Sequence, residues 1–276
     1  MIIWITSYPK SGNTWVRALL SAYLYSKDGL FNFNLLDNIP QFPNDYYLKS
    51  FLKKTNNPKE VFKYWIDSQI KINSNNKTNV LKTHNALCTI NSFGFTNRAN
   101  TVGAIYVVRD PRNVITSLSN HYDISLNEAF EFITNKRKII FENTPGDIQY
   151  IGDWAGHYSS WKNTNYFPKI IIKYEDLITN TKKTFLKILN FLGKENEINK
   201  NKIKIRKVIN SCQFDVLKKM EEKDGFLESM YSKKNQKKIN FFNLGKNNNW
   251  KNDLNSSLVK KIENNFKPEM TELGYI

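Results

Sequence analysis

Four short apolar runs along the chain predict the strands of a central sheet. They lie within residues 2–5, 79–84, 103–108 and 169–173. Continuous apolar runs of this length are typical of strands that are buried on both faces of a parallel sheet. Each run ends in polar residues, so we expect ligand-binding side chains to gather beyond the carboxyl ends of the strands.

Segments with helical periodicity separate these runs. Helices are predicted at 15–27, 59–73, 125–141, 154–161, 180–193, 202–222 and 254–266. Residues 30–58 and 224–249 lack this periodicity, and the second stretch is long and polar enough that we expect a mobile lid loop. Strands that alternate with helices favour an α/β fold, here a three-layer, doubly wound, mostly parallel sheet flanked by helices. With no internal repeat and no linker, we expect one domain over residues 1–276.

A tight polar loop joins the first predicted strand to the first helix. It reads Ser7-Tyr-Pro-Lys-Ser-Gly-Asn-Thr14. Backbone amides at a helix N-terminus and the helix dipole attract anions, and Lys10 adds a full positive charge. Gly12 allows a close approach of the backbone. Because Lys10 precedes the only glycine, the loop is not a Walker A motif, and it predicts a phosphate or sulfate site of another kind.

Two further polar motifs follow predicted strands. Arg109 comes directly after the third strand, where a guanidinium can bind a phosphate dianion through two hydrogen bonds, and Ser117 lies in the next helix. His84 closes the sequence Lys82-Thr-His after the second strand, and histidine titrates in the range that suits a general base. Taken alone, each motif also has a structural explanation, as a surface ion pair or as a packing histidine.

Composition adds limits rather than a function. The 276 residues include 41 basic and 25 acidic ones, a net charge of +16 that attracts polyanions or reflects a lysine-rich bias. Two cysteines, Cys88 and Cys212, make no disulfide framework. The sequence shows no signal-peptide pattern, no apolar run long enough for a bilayer and no cluster of metal ligands, so we expect a cytoplasmic protein without a transmembrane segment or a metal.

Four of these stretches resemble, in order, the motifs of one enzyme family. Residues 8–15, 82–84, 109–117 and 242–251 are similar to motifs of sulfotransferases that use 3′-phosphoadenosine 5′-phosphosulfate (PAPS). The first motif departs from its commonest form only at Asn13. The resemblance implies a fold like that of the P-loop nucleotide hydrolases, with PAPS as the donor and 3′-phosphoadenosine 5′-phosphate (PAP) as the product.

The resemblance also implies roles for individual residues. His84 would be the catalytic base, Lys10 would stabilise the developing negative charge, and Lys82 would assist. The remaining two histidines, His121 and His157, are expected to be packing residues. The residues that the resemblance assigns to the nucleotide are Lys10, Ser11, Gly12, Asn13, Thr14, Trp15, Arg109, Ser117, Tyr174, Cys212, Gly245 and Lys246.

The last motif departs from the family pattern, which reads Arg-Lys-Gly and then Gly-Asp-Trp-Lys. Asn243 and Leu244 replace the Arg-Lys pair, and Asn248 and Asn249 replace the Gly-Asp pair. In the family the Arg-Lys pair binds the 3′-phosphate. We therefore expect weaker binding of the nucleotide unless Lys246 or a neighbour substitutes for the lost pair.

The leading hypothesis is direct in-line transfer of a sulfuryl group to a hydroxyl or amine of a small-molecule, carbohydrate or natural-product acceptor. A nucleotide-dependent kinase of related fold is disfavoured, because neither a Walker A motif nor an evident magnesium site is present. A non-catalytic basic nucleic-acid-binding protein would explain the charge but not the motifs, and a catalytically dead relative that senses the nucleotide also remains. The acceptor, expected to meet the loops 30–58, 85–100 and 142–153, and the oligomeric state stay open.

Overall fold

The computed structural model of the chain describes residues 1–52, 58–141, 145–232 and 236–276, with the side chains of residues 58, 59, 145 and 246 excepted. The chain forms two compact units. The first unit comprises Met1–Tyr8, Asp37–Val108 and Asn135–Ile172. The second unit comprises Pro9–Leu36, Arg109–Thr134 and Lys173–Ile276.

The described strands are β1 (Ile2–Ser7), β2 (Asn79–Thr83), β3 (Thr89–Ile90), β4 (Phe93–Gly94), β5 (Thr101–Val108), β6 (Ile139–Ile140), β7 (Gln149–Tyr150), β8 (Lys169–Lys173), β9 (Met230–Tyr231) and β10 (Lys238–Ile239). The described helices are α1 (Asn13–Tyr25), α2 (Asp45–Leu48), α3 (Pro58–Lys63), α4 (Trp65–Asn73), α5 (Pro111–Tyr122), α6 (Leu126–Thr134), α7 (Trp154–Lys162), α8 (Tyr174–Thr179), α9 (Thr181–Phe191), α10 (Glu195–Ile198), α11 (Lys202–Ser211), α12 (Phe214–Asp224), α13 (Trp250–Asp253) and α14 (Ser256–Glu272). Short 3₁₀ turns lie at Phe33–Asn38, Pro145–Asp147 and Gly245–Asn247.

β1 lies inside a four-stranded sheet with the order β2-β1-β5-β8. β2 and β5 both run parallel to β1, with Ile5 beside Lys82 and Ile105. Ile2, Trp4 and Ile5 are fully buried, as the continuous apolar run predicted. Because the chain adds strands on both sides of β1, the sheet is doubly wound and the predicted α/β class is confirmed. The predicted motifs begin where the chain leaves these parallel strands.

The core of the first unit is organised around the ring of Phe95. Trp4 of β1 and Trp65 of α4 both lie 5.2 Å from it between ring centroids, Phe42 lies at 5.9 Å and Trp161 of α7 at 6.1 Å. All five side chains are fully buried. Aromatic rings at these separations and tilted angles attract each other beyond the burial of their area. The sheet is thereby joined to α4 and α7 through one residue of an intervening loop.

Three predicted helices are shorter than the periodicity suggested or are divided in two. The helix expected at 125–141 ends at Thr134, because the Asn135 side chain accepts a hydrogen bond from the Arg137 amide at 2.9 Å and turns the chain. The helix expected at 202–222 is interrupted between α11 and α12, at Cys212 and Gln213. There Gln213 adopts an extended backbone conformation. The helix expected at 59–73 likewise divides into α3 and α4.

The stretch 224–249, predicted as a polar loop, contains the short antiparallel pair of β9 and β10. Glu221 of α12 anchors this stretch through its carboxylate, and its side chain is fully buried. It accepts hydrogen bonds from the Ser229 hydroxyl and from the backbone amides of Phe241 at 2.7 Å and Phe242 at 2.8 Å. The mobility of the stretch stays a prediction, and residues 233–235 lie outside the described residues.

No helix in the described ranges is long and apolar enough to span a bilayer.

Replacing Glu221 with Ala should destabilise the protein by about 3 kcal/mol, since three donors would lose their buried acceptor. Urea unfolding measures the change, and hydrogen exchange at the amides of Phe241 and Phe242 should become faster. The control is Glu222→Ala, the next residue on the same helix, which is exposed. Equal unfolding free energies for the two variants would contradict the anchoring role of Glu221.

Candidate functional site

The loop before α1 adopts a conformation that only a few residue types allow. Lys10 has φ 63° and Gly12 has φ 103°, both in the left-handed region. A Cβ atom on Gly12 would lie 2.5 Å from Cδ2 of Tyr174, so the loop passes directly against that ring. Gly12 then starts the helix, its carbonyl accepting from the amides of Trp15 and Val16. The second unit therefore needs glycine here for both conformation and space.

Arg109 connects this loop to α5. Its Nη1 donates to the Lys10 carbonyl at 2.9 Å and to the Ser117 hydroxyl at 2.9 Å. Its guanidinium carbon lies 4.3 Å from the centroid of the Tyr174 ring. The structure thus brings together Lys10, Arg109, Ser117 and Tyr174, which the sequence had assigned to one nucleotide.

The two arginines of the motif Arg109-Asp-Pro-Arg112 have different partners. Arg112 pairs with Asp110 at 2.7 Å and with Glu263 at 2.6 Å, which neutralises it and joins α5 to α14. The three contacts described for Arg109, by contrast, are made with uncharged groups. Arg112 therefore has a structural role, while the charge of Arg109 is available to an anion.

Nε of Arg109 and the hydroxyl oxygen of Ser11 lie beside this loop, are buried and have no hydrogen-bond partner among the described residues. A buried donor without an acceptor costs free energy, and such groups call for an explanation when they occur in a folded protein. Both atoms are donors, so the residues present fit an anionic ligand that accepts from them.

An aromatic pair lies at the beginning of α1. The rings of Trp15 and Tyr174 lie 5.9 Å apart between centroids, edge to face, and the Trp15 indole N–H donates to the Cys212 carbonyl at 2.8 Å. Burial raises the pKa of Tyr174, and it raises the pKa of the Cys212 thiol to about 12. Cys212 therefore contributes its backbone to this region, while its neutral side chain packs inside the unit.

The altered late motif lies against α5. Asn248 accepts from the Thr116 hydroxyl at 2.7 Å and donates to the Ser117 hydroxyl at 2.7 Å, and the Trp250 amide donates to the Asn113 side chain at 2.9 Å. A Cβ atom on Gly245 would lie 2.5 Å from the Phe214 ring. The late motif therefore contacts Ser117 through Asn248. The side chain of Lys246, also predicted to bind the nucleotide, lies outside the described residues.

Two residues that the sequence did not assign contact the loop before α1. The ammonium of Lys10 lies 3.8 Å from the centroid of the Phe241 ring, a cation–π contact. The Glu228 carboxylate accepts from the Thr14 hydroxyl at 3.0 Å and pairs with Arg17 at 2.6 Å. The segment expected to form a lid therefore touches both the predicted catalytic lysine and the predicted anion loop.

In the first unit, His84 follows β2, and hydrogen bonds fix both its backbone and its ring. Its amide donates to the Gln149 side chain at 2.7 Å, its Nδ1 lies 2.7 Å from the Ser7 carbonyl, and its own carbonyl lies 3.0 Å from Nε2 of His157. A carbonyl oxygen only accepts, so the proton of the neutral ring is on Nδ1, and Nε2 is the basic nitrogen. Lys82, two residues earlier on β2, is buried.

His157 lies behind His84 and is fully buried. The Tyr106 hydroxyl lies 2.8 Å from its Nδ1. Because Nε2 donates to the His84 carbonyl, Nδ1 must accept from Tyr106, so both ring nitrogens are engaged. Burial lowers the pKa of His157 to about 4. The ring packs edge to face on Tyr8, with 5.5 Å between centroids, and also fixes the backbone of His84.

Comparison with known proteins decides the family, since the sulfotransferase domain matches residues 2–274. The chain belongs to the sulfotransferase family. Cytosolic sulfotransferase 1 of Arabidopsis thaliana is 26% identical over 277 residues, which cover 94% of this chain and 75% of that protein. Sulfotransferase 1B1 of Canis lupus familiaris is 24% identical over 269 residues, covering 97% and 82%. The enzyme class inferred from the four motifs is confirmed.

The fold of this sulfotransferase also matches a solved structure. Retinol dehydratase, in complex with androsterone and the inactive cofactor PAP, superposes with a TM-score of 0.61 at 16% identity, covering 98% of this chain and 80% of that one. Within the described residues, no group of three or more His, Cys, Asp or Glu side chains is arranged to hold a metal ion.

Sequence reasoning missed four residues that contact predicted site residues of this sulfotransferase: Gln149 in the first unit, and Glu228, Phe241 and Asn248 in the second. Gln149 and Glu228 carried no signal, since a single polar residue in a loop has no pattern. Asn248 could have been found, because it stands where the family motif has a glycine. Gln149 also holds a buried side-chain nitrogen without a described partner.

Stability should fall at mildly acidic pH because of His157. Its pKa is about 4 when folded and about 6.5 when unfolded, so the unfolded chain binds the extra proton first. The contribution of neutral His157 is complete above pH 6.5 and is lost as the pH falls towards 4. Between pH 7 and pH 5 the wild type should lose about 2 kcal/mol more than His157→Gln, which cannot titrate.

Urea unfolding of both proteins at the two pH values makes this comparison. The difference at pH 7 serves as the reference, because it contains the cost of the altered hydrogen bonds alone. Parallel pH profiles for the two proteins would contradict a buried neutral His157.

Proposed function

We propose that this sulfotransferase transfers a sulfuryl group from PAPS to a hydroxyl or amine of a small-molecule, carbohydrate or natural-product acceptor, leaving PAP. The observation that carries the proposal is the buried Arg109: among the described residues its contacts are with uncharged groups, and its Nε has no acceptor. PAP, named with the retinol dehydratase structure, has two phosphates and therefore the charge that such a site needs.

The side chains of the second unit have the chemistry to hold such a donor. Residues 10–15 would take the 5′ end, with Lys10 and the Ser11 hydroxyl as donors. Arg109 and Ser117 would bind the 3′-phosphate through charge-assisted hydrogen bonds. The Trp15 and Tyr174 rings would contact the adenine. When bound, the donor supplies the activated sulfuryl group, and no metal is required.

The acceptor side of the reaction would depend on His84. Its Nε2 takes the proton of the acceptor hydroxyl while the acceptor oxygen forms a bond to sulfur and the bond from sulfur to the 5′-phosphate oxygen breaks. Lys10 stabilises the negative charge that develops on that phosphate oxygen, and Lys82 assists. Because the Ser7 carbonyl accepts from Nδ1, the basic nitrogen of neutral His84 is Nε2.

We further propose that residues 1–276 act as one sulfotransferase domain in the cytoplasm. The family match over residues 2–274 supports the first point. The name of the Arabidopsis relative, a cytosolic sulfotransferase, supports the second. Androsterone, present with retinol dehydratase, favours a small hydroxylated molecule as the acceptor class.

Calorimetric titration with PAP, adenosine 5′-phosphate and ATP–magnesium tests the donor. The wild type should prefer PAP. Arg109→Ala should lower PAP affinity by about tenfold to a hundredfold, the value of a charge-assisted contact, and should barely change affinity for adenosine 5′-phosphate. The control is Arg98→Ala, which removes the same charge from an exposed position. Equal losses for both ligands would refute the assignment of Arg109.

Replacing His84 with Asn tests the base. The asparagine amide can still donate to the Ser7 carbonyl but cannot accept a proton, so transfer should fall by about a hundredfold or more. PAP affinity should stay within about twofold, since the substitution removes no donor proposed to bind the nucleotide. The assay follows labelled sulfuryl transfer to a panel of phenols, steroids and sugars. Weakened PAP binding with unchanged turnover would make His84 a structural residue.

A further inference from the structure

The hydroxyl of Ser117 receives two hydrogen bonds. Arg109 Nη1 donates to it at 2.9 Å, and Asn248 Nδ2 donates to it at 2.7 Å. A hydroxyl oxygen has two lone pairs and one proton. With both lone pairs engaged, the remaining proton of Ser117 is directed at a third group.

The customary acceptor for that proton is already in use. A serine inside a helix often donates to the carbonyl four residues earlier, which here belongs to Asn113. Asn248 Nδ2 approaches that carbonyl at 3.3 Å, and Thr116 Oγ1 lies 3.0 Å from it. Among the described residues no carbonyl of α5 accepts a hydrogen bond from the Ser117 hydroxyl, so its proton is available to an oxygen outside α5.

The orientation of the Asn248 amide follows from its partners. Nδ2 faces the Asn113 carbonyl, which only accepts, so a flipped amide would place two acceptors against each other. Oδ1 receives the hydroxyl of Thr116 at 2.7 Å. The amide is thus held at both ends, and its nitrogen must donate to Ser117.

We infer that Asn248 is a positioning residue for the 3′-phosphate. It holds the hydroxyl of Ser117 so that its proton, next to the Arg109 guanidinium, is presented to a phosphate oxygen. This chain has neutral Asn243 and Leu244 where the family motif has two cations, and it has an amide where that motif has glycine. Asn248 thereby becomes a determinant of selectivity for nucleotides that carry a 3′-phosphate. The inference rests on the proposed function, since it concerns the same donor.

Asn248→Asp gives the strongest test. A carboxylate oxygen would accept the Ser117 proton and would place a negative charge beside the phosphate. PAP affinity should fall by about tenfold or more, while affinity for adenosine 5′-phosphate stays within about twofold. Asn248→Ala removes the hydrogen bond to Ser117 without adding a charge, and it should lower PAP affinity by about threefold to tenfold. The control is Asn247→Ala, an exposed neighbour, which should bind both ligands as the wild type does.

A double-mutant cycle shows whether Asn248 acts through Ser117. In a Ser117→Ala background, Asn248→Ala should have no further effect on PAP affinity. In turnover assays the single variants should raise the KM for PAPS and leave kcat unchanged, since the reacting atoms are untouched.

Three outcomes would overturn the inference, and they differ in whether they also overturn the proposed function. Additive losses in the cycle mean that Asn248 does not act through Ser117. Equal losses of PAP and adenosine 5′-phosphate mean that Asn248 only shapes the loop. Both results leave the proposed function intact, provided that the wild type prefers PAP. A wild type without that preference would overturn the proposed function and this inference together.

Discussion

The second unit depends on one buried cation with uncharged partners. Arg109 joins the Lys10 carbonyl to the Ser117 hydroxyl, so the loop before α1 and the helix after β5 share one guanidinium. A buried charge is usually neutralised by an opposite one, as Arg112 is by Asp110 and Glu263. Contacts with a carbonyl, a hydroxyl and an aromatic face stabilise the Arg109 guanidinium, and among the described residues no carboxylate forms an ion pair with it. An anion that accepts from Arg109 would therefore lower the free energy of this arrangement.

In the first unit, two histidines of one hydrogen-bonded chain acquire different properties from their surroundings. His157 has both ring nitrogens engaged, by Tyr106 and by the carbonyl of His84, and its burial keeps it neutral. The carbonyl of Ser7 accepts from Nδ1 of His84, and this bond selects the tautomer with a basic Nε2. Residues far apart in sequence thus decide which nitrogen of the His84 ring carries the proton. They do so through the direction of a hydrogen bond rather than through a nearby charge.

The sequence predicted what local patterns encode. Buried strands need continuous apolar runs, and the turn from β1 to α1 needs a glycine where the backbone passes close to another group, so both were predicted without the structure. The pairing of Arg109 with Ser117 came from the resemblance to the family motif. Partners that meet only after folding left no pattern, as with Gln149 beside His84 and Glu228 beside Thr14. The end of α6 was missed for a local reason, because the Asn135 side chain competes with the helix for backbone amides.

The altered late motif shows why motif residues differ in what they reveal. Gly12 and Gly245 each lie against an aromatic ring, Tyr174 or Phe214, where a Cβ atom would collide. Packing alone requires these two glycines, so their presence says little about a ligand. Leu244 is 46% exposed and meets no such constraint, so folding does not require a cation at that position. The residues that indicate a ligand are those whose buried hydrogen-bonding groups find no partner on folding. By that criterion the anion binding proposed for the second unit rests on Arg109 and Ser11, whose buried donors have no acceptor among the described residues.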